Sequence, residues 1–198
     1  RWDGTANVRW KTAVSGEGWS SPILSNGRAY LTTAVKSASA NVSLRAICLD
    51  ASNGRIIWDV EALSVDRDKS EPVHEKNSLA SPTPLVDFDR LYVHYGHMGT
   101  AALDLQGNVV WRQTGLEYSP VHGNGGSPAL IDDSIVFGCD GGDDPFLAAL
   151  DRLSGQIRWK TPRRAKVQKS FSFSTPLVIE VESQKQIVSP AGGLVAGY

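Results

Sequence analysis

Apolar residues along this chain fall in short runs, alternating with polar positions and broken by Gly, Pro, Asn and Asp. No apolar period of 3.6 persists over ten residues or more, so the pattern predicts strands rather than helices. Two phrases recur and order those strands. One is built on proline: Gly18-Trp19-Ser20-Ser21-Pro22-Ile23-Leu24, Leu79-Ala80-Ser81-Pro82-Thr83-Pro84-Leu85, Gly125-Gly126-Ser127-Pro128-Ala129-Leu130 and Phe173-Ser174-Thr175-Pro176-Leu177-Val178. Each is followed by a polar turn and a β-rich run, at Arg28–Thr33, Arg90–Tyr95, Ser134–Cys139 and Gln186–Ser189.

The other phrase ends in tryptophan. Trp10, Trp58, Trp111 and Trp159 are spaced 48, 53 and 48 residues apart. Before three of them a small residue (Cys48, Ala102, Ala149) precedes an Asp by two positions (Asp50, Asp104, Asp151), and a Gly (Gly54, Gly107, Gly155) stands four before the indole. This reads as a hairpin. A strand ends at Asp, whose carboxylate can bond its own backbone two residues on, glycine supplies positive φ, and a second strand carries the indole. Each repeat thus has four strands, and four strands per 40 to 50 residues predict a β-propeller blade.

The small-x-Asp-x-x-x-Gly-x-x-x-Trp phrase resembles the tryptophan-docking motif of the PQQ-like (quinoprotein alcohol dehydrogenase-like) β-propeller repeats. The resemblance covers nearly the whole chain and is close to uncharacterised bacterial members and to the propeller lipoprotein of the outer-membrane assembly machine. It implies an all-β fold of four-stranded antiparallel blades, each indole packed on its neighbour. The repeats place an N-terminal Trp strand at 7–14, blades at about 19–60, 78–114 and 125–162, and a partial blade at 170–198. That is about four blades, half of a ring of roughly seven or eight. A missing half of the propeller, or a second copy, is therefore an expected partner.

Composition narrows the class. With 20 basic and 21 acidic residues among 198, the formal net charge is −1, which gives no electrostatic case for nucleic acid. Apolar runs of four or five residues make no transmembrane segment. Cys48 and Cys139, 91 residues apart in apolar runs, read as free buried thiols rather than a zinc site or disulfide framework.

In an up-and-down blade, the lead-in to strand one and the loop between strands two and three lie at the same end. Lead-ins 15–19, 73–78, 120–125 and 166–172, with loops 34–42, 96–100, 140–145 and 190–193, hold three of the four histidines. The candidate ligand-binding residues are His74, Lys76, Asn77, His97, His122, Asn124, Asp140 and Lys169. In His122-Gly123-Asn124-Gly125-Gly126 the glycines would let backbone approach a ligand, or simply pack a tight loop at the axis. His94 and His97 would point to opposite strand faces, leaving only His97 as a metal ligand candidate. Asp140-Gly141-Gly142-Asp143-Asp144 resembles an oxygen-rich calcium loop without EF-hand spacing, and a solvated turn is the plainer reading. The charged stretch Glu61–Asn77 reads as a solvated flap.

No nucleophile elbow, P-loop or zinc-protease motif is present. The resemblance implies a non-catalytic binding or scaffold module, extracytoplasmic or periplasmic, with a protein partner or glycan on the polar rim face and no cofactor. The alternatives are a carbohydrate- or metal-binding propeller or hydrolase, and, behind these, a PQQ-dependent dehydrogenase with quinone above calcium. This chain shows no adjacent-cysteine pair and no matched calcium set for that last chemistry.

Overall fold

The computed structural model describes residues 3–36, 41–66, 73–142, 144–163 and 167–198. Its strands form four antiparallel sheets in chain order. The first comprises β1 (Ile23–Ser25), β2 (Arg28–Lys36), β3 (Asn41–Asp50) and β4 (Ile56–Asp66). The second comprises β5 (Leu85–Asp87), β6 (Arg90–His94), β7 (Thr100–Asp104) and β8 (Val109–Gln113). The third comprises β9 (Ala129–Ile131), β10 (Ser134–Cys139), β11 (Phe146–Asp151) and β12 (Ile157–Pro162). The fourth has three strands: β13 (Leu177–Val181), β14 (Gln184–Ala191) and β15 (Leu194–Gly197). The molecule is an all-β propeller segment, and each sheet is one blade.

Two boundaries differ from the sequence pattern. Glu61–Asp66 is not flap but the outer half of β4, paired from Asn41↔Asp66 inward, with Ala62 and Leu63 buried. The charges at 61 and 66 hid this strand, and a bulge between Leu44 and Arg45 puts two buried residues in sequence. Loop 34–42 shortens accordingly, because β2 runs to Lys36 and β3 begins at Asn41. Segments 37–40 and 67–72 lie outside the described residues.

Strand alternation lets each middle blade face two neighbours. On β6, Leu91 and Val93 face the first blade's Tyr30, Leu44 and Cys48, while Tyr92 packs with Ile135 and Phe137 of the third. On β10 and β11, Val136, Leu147 and Ala149 meet Ile187 of the fourth.

The tryptophans join the blades. Each indole lies directly across its own sheet from the small residue of the motif: Cys48↔Trp58, Ala102↔Trp111 and Ala149↔Trp159. The small side chain leaves room for the ring on the shared face. The rings of Trp58 and Trp111, like that of Trp10, then reach the next blade's Asp-Gly turn. The Nε1–H groups of Trp10, Trp58 and Trp111 donate to the carbonyls of Ala51, Leu105 and Arg152, each one residue past the motif Asp, at 3.0, 3.1 and 3.1 Å. The turn glycine serves twice. It takes φ of 75°, 94° and 73° at Gly54, Gly107 and Gly155, and it is the floor under the ring. A Cβ on Gly155 would stand 2.5 Å from Trp111, and one on Gly54 would stand 2.4 Å from Trp10. Trp10 docks this way although Asn7–Val14 pairs with no strand among the described residues.

The Asp of each turn folds its own loop. Asp50 accepts from Ser52 N, Asp104 from Gln106 N and Asn108 N, and Asp151 from Leu153 N and Ser154 N. Arg158 beside Asp151, together with these turn donors, holds that carboxyl well below the usual range.

Two buried polar groups also sit between blades. His94 is enclosed, its Nδ1 at 2.9 Å from Thr100 Oγ1 and its ring 4.0 Å from Phe137. Burial pushes its pKa down to about 3, and His97 adds to the effect. At the junction of blades three and four, Arg163 Nη1 meets Asp140 Oδ2 at 3.1 Å and the Pro190 carbonyl at 2.9 Å, while its Nη2 donates to Ser189. Burial pushes Asp140 up to about 6 against the opposing pull of Arg163.

Docking through glycine predicts that Gly155→Ala destabilises the chain by about 2 kcal/mol or more, since it combines a ring clash with a left-handed backbone. Trp111→Ala should cost about 3–5 kcal/mol. Urea denaturation checks both, and an unchanged midpoint for Gly155→Ala would refute the floor role.

The buried pair of titrating groups predicts opposed pH slopes. Below 6.5 the unfolded chain protonates His94 while the native state does not until about 3, so its contribution is present above 6.5 and lost as pH falls. Asp140 holds a proton in the native state between 3.8 and about 6, so its contribution is present below 3.8 and lost as pH rises through 6. Between about pH 7 and about pH 5, His94→Gln should therefore flatten the acid-side loss of stability, and Asp140→Asn should steepen it, each by up to roughly 1 kcal/mol per pH unit. Denaturant midpoints measured across that range decide the signs.

Candidate functional site

The axis is organised by one hydroxyl residue per repeat. Ser21 N–H donates to Thr83 Oγ1, Thr83 N–H to Ser127 Oγ, and Ser127 N–H to Thr175 Oγ1, at 3.2, 2.9 and 3.0 Å. Each of these residues precedes a proline, which restricts it to extended backbone, and each stands two positions before its blade's first strand, so its N–H lies outside that sheet's ladder. The doubled Pro in Ser81-Pro82-Thr83-Pro84 leaves the sequence register ambiguous. The structure resolves it, since Thr83 takes the hydroxyl position and β5 begins at Leu85.

Two residues before each hydroxyl stand Trp19, Ser81, Gly125 and Phe173. These four equivalent positions line one cavity of ≈ 470 Å³, together with His74, Lys76, Asn77 and His122. Four of the eight residues expected from the sequence thus converge at one pocket where the lead-ins meet.

The pocket wall is braced from behind. His122, at φ 68°, turns its carbonyl to accept from His74 N (3.4 Å) and Asn77 Nδ2 (3.0 Å). Asn77 Oδ1 in turn accepts from Ser78 N at 2.9 Å and from the Ser81 hydroxyl. His74 and His122 meet edge to face at 5.1 Å, His122 rests on Phe171 at 5.5 Å, and Phe171 on Phe173 at 5.7 Å. His74 Nδ1 accepts the Lys76 N–H at 3.1 Å, which leaves the ring proton of neutral His74 on Nε2.

The other four expected residues lie elsewhere. Asn124 is not presented at the pocket. Its Oδ1 accepts from Tyr118 OH at 2.8 Å and its Nδ2 lies 3.0 Å from His97 Nδ1, clamped where a Cβ on Gly96 would collide with it. His97 belongs to a 3-10 turn, Gly96–Met98, rather than to a strand, so the alternation argument that separated it from His94 does not apply there. Asp140 is turned inward onto Arg163 rather than into solvent, with side chains 3% and 1% exposed. The calcium-loop resemblance therefore loses its first carboxylate to an ion pair, and Asp143 lies outside the described residues. Lys169 is exposed beside a second cavity of ≈ 550 Å³ lined by Phe146, Lys160, Arg163 and Ser170. Among the described residues, no group of three His, Cys, Asp or Glu is placed to hold a metal ion. Both cysteines are free and buried.

The sequence pattern missed the aromatic pair. Trp19 (56% exposed) and Phe173 (44% exposed) looked like ordinary apolar residues ahead of a strand. Aligning the repeats on the hydroxyl before proline would have set them at one position.

Residues 36–188 match the family described as outer membrane protein assembly factor BamB. The BamB of Yersinia pestis is 31% identical over 163 residues, covering 77% of this chain and 36% of that protein. BamB from Moraxella catarrhalis superposes with a TM-score of 0.60 at 21% identity, covering 96% of this chain and 49% of that one. A europium-containing methanol dehydrogenase shares the fold at TM-score 0.52 and 15% identity, covering 73% of this chain and 24% of that one. The chain spans little more than a third of the curated relative and about half of the solved BamB. With the family match running from the outer strands of the first blade through the whole second and third blades and into the fourth, on sheets joined indole to turn, the chain belongs to the BamB family of outer membrane protein assembly factors.

Proposed function

We propose that this chain is a non-catalytic propeller scaffold, acting on the extracytoplasmic side in outer-membrane protein assembly. It would bind a protein partner through the face that bears the strand-one lead-ins and the loops between strands two and three. One observation carries the choice of face: a single position from every repeat converges there on one pocket, flanked by His74, Lys76 and His122. A shared axial surface built from all repeats is where a propeller presents recognition groups. The opposite end is built from short turns such as Asp50–Arg55, Asp104–Asn108 and Asp151–Gln156, which serve as docking floors for the indoles.

The chemical character of the face supports recognition over turnover. Asp140 is committed to Arg163, Asn124 to Tyr118 and His97, and the backbone of His122 to Asn77. The place in outer-membrane assembly rests on the family. No helix among the described residues is long and apolar enough to cross a membrane.

A photo-crosslinking amino acid at position 76 or at position 53 separates the two ends in bacterial cells. Position 76 should yield an adduct with a component of the outer-membrane assembly machinery, and position 53 should not. Adducts from position 53 alone, or from neither, would overturn the proposed face.

A further inference from the structure

We infer that the axial pocket receives an aromatic side chain flanked by a carboxylate, presented on an extended segment of a partner protein. This rests on the proposed use of that face for recognition, and it adds the chemistry of what is recognised.

Three features point the same way. The first is the placement of the aromatics. Trp19 from blade one and Phe173 from blade four line the pocket, while the equivalent positions in blades two and three are Ser81 and Gly125. Large residues on two blades and small ones on the two between leave a recess with aromatic walls. Its ≈ 470 Å³ suits one large side chain and its neighbours rather than a folded domain. Partly exposed aromatics held at the centre of a face are the usual anchors of protein interfaces.

The second feature is rigidity. Trp19 N–H donates to the Ala80 carbonyl at 3.1 Å, fixing the first blade's wall onto the second. Phe173 ends the run of ring contacts through Phe171 and His122 to His74. The Trp19 backbone and the Phe173 ring are held before any ligand arrives, which lowers the ordering cost of binding.

The third feature is charge. Lys76, His74 and His122 line the pocket, and no Asp or Glu does so among the described residues. Glu75 adjoins Lys76 in sequence but lies outside the lining. The Lys76 ammonium has no ion-pair partner among the described residues, and neutral His74 carries its proton on Nε2. A carboxylate next to the bound ring would find a cation and a donor. A lysine there would meet like charge, which discriminates against basic segments.

Isothermal titration of this chain with four blocked tetrapeptides tests the inference: Gly-Phe-Asp-Gly and its counterparts with Asn for Asp, Lys for Asp and Ala for Phe. The Phe-Asp peptide should bind best, with Asn weakening it about 5-fold or more and Lys more strongly. Removing the ring should abolish detectable binding. Trp19→Ala and Phe173→Ala, both at exposed positions, should each weaken the Phe-Asp peptide about 10-fold with an unchanged thermal midpoint, and Lys76→Ala should erase the Asp-over-Asn preference. Equal affinity for all four peptides, no binding of any, binding indifferent to Trp19→Ala, or binding of a neutral oligosaccharide in place of the peptides would each overturn it. If peptide binding fails while the position-76 adduct persists, this inference falls and the scaffold reading stands. Loss of both removes both.

Discussion

The contact on which this structure depends is an indole laid on a glycine of the next blade. A four-stranded blade buries little by itself, and both its faces need neighbours. Trp10, Trp58 and Trp111 supply the link. Each buries a large apolar surface while its Nε1–H satisfies a turn carbonyl that would otherwise point at an apolar ring. Shape and hydrogen bonding demand the same geometry, so the contact sets the spacing and rotation of successive blades. The rest of the motif follows from it. The residue across from the ring must be small, the turn must reverse at glycine, and Asp must hold that turn closed.

At the axis a lighter device repeats the same logic. A backbone N–H just ahead of strand one reaches the next blade's hydroxyl, and three such bonds link the four inner strands. Because the ladder fixes the hydroxyl positions, it also fixes what stands two residues earlier. Those side chains meet at the mouth of the axis whatever their chemistry. The lead-ins thus present one position from every repeat at the pocket, and in this chain they read Trp, Ser, Gly and Phe.

Between the blades, polar groups take part in packing rather than in chemistry. His94 is neutral against Phe137, Asn124 closes the turn at Gly96, and Arg163 ties the third blade to β14. Such residues look functional in a sequence because His, Asn and Asp are rare in cores. Burial with hydrogen-bond partners is the usual condition on which they are tolerated there.

The sequence by itself determined the blade. Alternation, the Pro phrase and the small-Asp-Gly-Trp spacing are local, and each is bound to one strand or one turn by backbone geometry. Asp50, Gly54 and Trp58 could be assigned to a hairpin because all three act within eleven residues of one another. Only the tertiary structure decided which polar residues face a pocket. His122 and Asn124 are two apart on one lead-in, yet His122 lines the pocket and Asn124 clamps a neighbouring loop, because φ of 68° at His122 turns the chain between them. Asp140 and Arg163 are 23 residues apart and meet only because β11 and β12 bring the chain back to the blade's end. Trp19 and Phe173 lie 154 residues apart; the repeat sets them at equivalent positions, but only the curvature that docking accumulates from blade to blade brings them to one pocket.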